Sequence, residues 1–112
     1  MSRAAGWGLF VLLLLVQVQV LYLTTGTGPP PFPHADKLVH AAVFAAPAAV
    51  ATAVRSRWAL GLLVVHALVS EPLQAWTTTT RQADVWDTVA DLVGIVLGVV
   101  VMQSMRRAGG RP

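Results

Sequence analysis

The sequence predicts an all-α membrane protein, a four-helix transmembrane bundle with both termini in the cytoplasm. Three observations lead there. Of 112 residues, 55% are hydrophobic and only 12% are charged, with a mean hydropathy of +0.65. A soluble domain carries about 25% charged residues, so this chain lacks the polar surface to cover a globule in water. Its apolar residues also fall into four stretches, each near the roughly 20 residues an α-helix needs to cross a bilayer. Finally, the basic residues gather at alternate ends of those stretches. At this length a single domain covering 1–112 is expected.

The first stretch, about 4–23, contains LFVLLLLVQVQVLYL. Arg3 before an apolar run has the look of a signal peptide. The run is longer than the roughly 7–15 residues of such segments and no A-x-A site follows, so an uncleaved first span is expected. The connection after it, TTGTGPPPFPHA, holds four prolines and two glycines, which forbid regular structure there. The second stretch, about 38–54, is the shortest and richest in Ala. A tight turn at Arg55-Ser56-Arg57 leads into the third, about 58–76. A threonine run then leads through Arg81 to the fourth, about 85–102, and a basic, Gly-rich tail closes the chain.

Orientation follows from lysine and arginine. The N-terminus, the 55–57 turn and the tail hold six of them, and the other two connections hold only Lys37 and Arg81. The positive-inside rule then places both termini in the cytoplasm. Trp7 and Trp58 fall at the inner interface, and Tyr22, Trp76 and Trp86 at the outer one, as an aromatic belt. All five acidic residues come to the outer face. The expected location is a cytoplasmic membrane, crossed several times, with the polar site facing outward. The net charge of +3 does not imply nucleic acid, because the basic residues mark segment ends rather than a soluble patch. With no cysteine, disulfides, thiolate metal sites and thiol nucleophiles are excluded.

Ionisable groups in or near a span are costly and mark function. Asp36 and His40 are four apart and share a helix face, and Asp36 can cap the second helix. Glu71 and Gln74 share a face near the end of the third, where Pro72 frees a carbonyl near Leu68. Asp84, Asp87, Asp91, Gly94 and Gly98 are spaced 3, 4, 3 and 4, one stripe along a helix with carboxylates above and glycines below. The glycines are expected to admit a neighbouring backbone. The carboxylates need a counterweight, and Lys37, Arg81 or a cation can supply it. His66, Gln17 and Gln19 read as interhelical hydrogen bonds.

Asp36-Lys37-x-x-His40, Glu71-x-x-Gln74, Arg81-x-x-Asp84-x-x-Asp87 and Gly94-x-x-x-Gly98, in that order, resemble the VanZ-like family of small bacterial membrane proteins. The resemblance covers roughly residues 36–98. Gln82 stands where the family often has Gly, and Asp91 where it often has Asn. The resemblance implies a cell-envelope role and a link to low-level resistance to teicoplanin-type glycopeptides, without implying a reaction.

Three functions are open to these residues. In the first, a pocket of Asp36, Lys37, His40, Glu71, Gln74, Arg81, Asp84, Asp87 and Asp91 binds an amphiphile, a lipid-linked cell-wall precursor or a lipid headgroup. Lys37 and Arg81 would hold its phosphate. In the second, a membrane-embedded hydrolase or transferase uses Glu71, His40 and Asp87, with a divalent cation as candidate cofactor and His40, Glu71, Asp87 and Asp91 as candidate ligands. In the third, the polar groups only lock the helices of an assembly subunit. The sequence fixes neither substrate nor oligomeric state.

Overall fold

The computed structural model of the protein describes residues 2–23, 32–77 and 84–109. The regular structure among them is helical throughout. Helix α1 (Arg3–Val18) runs on as a π-helical turn (Gln19–Leu23), followed by α2 (Ala35–Ala53), α3 (Arg57–Thr77) and α4 (Val85–Gly109). Three stretches are long and apolar enough to cross a membrane: Arg3–Leu23, Arg57–Trp76 and Val85–Gly109. That is the pattern of a multi-pass membrane protein. Leu12, Leu15, Leu62, Val65, Val96 and Val101 lie exposed on the outside of the bundle, a surface suited to lipid rather than water.

Helix α2 differs from the second of the four expected spans, about 38–54. It falls short of the other three in length and apolar character together, because Asp36, Lys37 and His40 open it and Pro47 interrupts it. It packs on α1, α3 and, most extensively, α4. Phe44, Ala48 and Ala51 are fully buried in it and join the core with Phe10, Leu21 and Leu63. Helix α4 also runs past the expected end at 102, carrying its regular turn through Arg106 and Arg107.

The helix ends follow local chemistry. The Ser2 hydroxyl caps α1 by accepting from the Ala5 N–H at 3.0 Å. At the end of α2, Arg55 takes a left-handed φ of 59°. The Ser56 N–H then reaches Ala51 O and the Arg55 N–H reaches Thr52 O, a Schellman closure built on a non-glycine residue. Ser56 also caps α3 through the Ala59 N–H. Two guanidiniums finish the α2 terminus. Arg3 donates to Val54 O at 2.7 Å and Arg106 to Thr52 O at 3.2 Å. Basic groups suit the negative end of a helix dipole. The start of α1, the end of α2 and the end of α4 therefore meet at one end of the bundle, as the arginine pattern predicts.

The seam between α2 and α4 is set by glycine. A Cβ at Gly94 would collide with the carbonyl of Ala41, and one at Gly98 with the carbonyl of Ala45. The expected close approach at Gly94-x-x-x-Gly98 is thus present, with alanines at i and i+4 of α2 as the facing surface.

Candidate functional site

The seam brings the α2 and α4 polar residues into register, and α3 closes over them. His40 Nδ1 lies 2.7 Å from Asp91 Oδ1, and His40 Nε2 lies 3.5 Å from Asp87 Oδ2. From α3, the Ser70 hydroxyl lies 3.1 Å from both Asp91 Oδ2 and Ala67 O, with one proton to share between them. Glu71 Oε1 stands 3.9 Å from His40 Nδ1, and Glu71 Oε2 accepts from the Asp84 backbone N–H at 3.0 Å. Exposure is 2% for His40, 4% for Glu71, 8% for Asp87 and 0% for Asp91. Such burial is costly for ionised groups unless they are paired.

Lys37 forms the outer half of the cluster. Its Nζ lies 2.7 Å from Asp36 Oδ2, 2.6 Å from Asp84 Oδ2 and 2.8 Å from Asp87 Oδ1. Burial disfavours its charge, and the three carboxylates outweigh that penalty, so its pKa stands above the ordinary lysine value. The Lys37 ammonium and the Trp86 N–H both bond the Asp84 carboxylate and hold its pKa below the ordinary range. Asp84 also caps α4 through that Trp86 contact. The α2 cap falls to His34, at a left-handed φ of 64°, rather than to Asp36. Asp36 sits one residue inside the first turn, where its charge complements the positive end of the helix dipole.

The order Ser70–Asp91–His40 is not that of a nucleophilic triad. There the imidazole stands between hydroxyl and carboxylate, whereas here the carboxylate stands in the middle. The Ser70 hydroxyl has a carboxylate rather than an imidazole beside it.

A second buried chain joins α1, α2 and α3. Pro47 has no N–H, so the Val43 carbonyl four residues earlier loses its helical donor. Gln17 Nε2 takes that place at 2.9 Å. Gln17 Oε1 then accepts from His66 Nδ1 at 2.7 Å, which leaves His66 Nε2 to accept from the Tyr22 hydroxyl at 2.6 Å. The direction of the whole chain is thus fixed by a proline. His66 and Gln17 are interhelical ties, as expected, and the Tyr22 hydroxyl extends the chain.

On the lipid-facing side of the seam, α2 and α4 leave a groove of about 570 Å³. Leu38, Ala41, Val89, Ala90 and Val93 line its apolar length, and His34, Lys37 and Asp84 stand at its polar end beside Trp86.

The structure gathers Asp36, Lys37, His40, Glu71, Asp84, Asp87 and Asp91 in one place. Gln74 shares the α3 face but points elsewhere with its amide nitrogen, which donates to Leu21 O at 3.0 Å. That carbonyl lies in the last turn of its helix, where no intrahelical donor exists. Arg81 lies outside the described residues. Ser70 was not among the expected site residues. Its signal was a hydroxyl beside Glu71 in an otherwise apolar helix. No protein-family model, curated protein or solved structure matches the chain.

Proposed function

We propose that this protein binds an amphiphile of the bacterial cell envelope, with its hydrocarbon chain in the α2/α4 groove and its headgroup against the carboxylate cluster. The observation that carries this reading is the groove itself. It is apolar along its length and ends at Lys37 and Asp84, the outer members of the buried polar cluster. A lipid tail is as apolar as the groove walls, so the chain gains by packing there rather than by leaving water, and the polar headgroup meets fixed charges.

The charge balance refines the ligand. Lys37 is already bonded to three carboxylates, so it is not a free phosphate holder. Among the described residues, five carboxylates surround this one ammonium and His40. A headgroup that brings an amine as well as a phosphate suits such a surface best. The resemblance of residues 36–98 to the VanZ-like family supports an envelope setting, with the polar end facing outward. A part in teicoplanin-type glycopeptide resistance belongs to the same proposal.

Native mass spectrometry of protein purified in mild detergent tests the reading. The wild type is expected to carry an amine-bearing phospholipid or lipid-linked precursor, and Ala90→Phe, which fills the groove, is expected to lose it. A folded wild type that carries no lipid, or equal retention by Ala90→Phe, counts against the proposal.

A further inference from the structure

We infer that His40, Glu71 and Asp91 form a binding site for one divalent first-row transition ion, held between α2, α3 and α4. This goes beyond amphiphile binding and stands without it. One ligand atom from each of the three residues lies within 4.8 Å of the others, and all three residues are buried. Metal–ligand bonds of about 2.0–2.2 Å place neighbouring donors roughly 3–3.5 Å apart. The observed separations from His40 Nδ1, 2.7 Å to Asp91 and 3.9 Å to Glu71, bracket that spacing.

A second observation separates this site from an ordinary acidic cluster. Glu71 Oε1 is buried, points at His40, and has no hydrogen-bond partner. His40 Nδ1 bonds Asp91 at 2.7 Å and stands 3.9 Å from Glu71 Oε1, so one imidazole faces two buried carboxylates. Among the described residues, His40 is the only basic side chain within ion-pair range of Glu71 and Asp91, because Lys37 is engaged by the other three acids. Two buried carboxylates that face one imidazole are costly to ionise together, and a dication between them removes that cost.

The surroundings are those of supported ligands. The Asp84 N–H holds the free oxygen of Glu71, Ser70 bonds the far oxygen of Asp91, and Asp87 faces the second nitrogen of His40. Such outer contacts orient metal ligands and fix the histidine tautomer. One imidazole with carboxylates and no sulfur suits Mn or Zn, and the imidazole argues against Ca. The proton on His40 Nδ1 leaves to solvent as the ion binds.

The test uses Mn2+ alone on full-length, chelator-stripped protein in detergent, read by calorimetry and electron paramagnetic resonance. The expected result is one ion per chain with a nitrogen hyperfine coupling. His40→Gln should lose that coupling, and Glu71→Gln should weaken binding at least about tenfold. No stoichiometric uptake by the wild type, a bound ion without nitrogen coupling, or unchanged affinity in Glu71→Gln overturns the site. The wild-type spectrum decides the matter even where a variant fails to fold. Loss of copurified lipid leaves this measurement unaffected, so the two proposals fail separately.

Discussion

His40 of α2 and Asp91 of α4 meet at 2.7 Å in the interior, and this contact ties the two most extensively packed helices together at the centre of the polar cluster. Breaking one side of such a pair leaves a buried group without its partner. Asp91→Ala is expected to cost about 3–5 kcal/mol. The double variant His40→Leu, Asp91→Leu should recover much of that loss, because it removes both polar groups. Unfolding in mixed micelles measures Asp91→Ala, the double variant and the single variants His40→Leu and Asp91→Leu. Additive losses would show that the two side chains are not coupled.

Gly94 and Gly98 set how closely α2 and α4 approach. Gly94→Ala and Gly98→Ala should each destabilise by about 1–3 kcal/mol, since the new Cβ meets backbone that cannot rotate away. Gly8 has open space around its Cα, so Gly8→Ala should be neutral or slightly stabilising. Thermal melts of the three variants check the contrast, and equal effects at Gly8 and Gly98 would contradict the tight seam.

Gln17 serves a carbonyl that Pro47 leaves free. Gln17→Leu is expected to cost about 1–3 kcal/mol, the penalty of an unsatisfied buried acceptor. In a Pro47→Ala background the helix supplies its own donor to Val43, so the same substitution should cost clearly less. A double-mutant cycle reads the difference. An identical cost in both backgrounds would mean that Gln17 acts through some other contact.

Much of the site was legible from spacing alone. Asp36 and His40, and Asp84, Asp87 and Asp91, lie at intervals of three or four, which fixes them to one face of one helix. Glycines continuing the α4 stripe announced the close seam. Pairings between helices were not legible, because they depend on register and rotation that spacing does not set. Hence the sequence leaves Lys37 either a phosphate holder or a counter-charge to the carboxylates, and in the structure it contacts three of them. The Gln17–Val43 bond shows a readable signal that went unused: a proline inside an apolar helix implies a free carbonyl four residues back. The sequence takes helix α2 as the second of four spans, yet its polar first turn and Pro47 set it apart from the other three.

The Lys37–Asp84 contact has a defined pH signature. Asp84 is held below the ordinary carboxylate pKa, so the stability it contributes is fully present above about pH 3.9. That contribution is lost only as the pH falls through the lower folded value. Lys37→Met removes the first cause of the shift and should move the Asp84 midpoint upward, toward its ordinary value. Carbon-detected NMR of selectively labelled aspartate reads the midpoint, and an unmoved value would count against the ion pair.

The claim on which the functional reading depends is that the α2/α4 groove and its polar end hold an amphiphile. Photolabelling in proteoliposomes with a phosphatidylethanolamine bearing a photoreactive acyl chain addresses it most directly. Adducts should concentrate on residues 86–93 of α4 and 37–41 of α2, and Ala90→Phe should abolish them. Adducts spread evenly over the lipid-facing surfaces of α1 and α3, at Leu12, Leu15, Leu62 and Val65, with no enrichment at the groove, would contradict it.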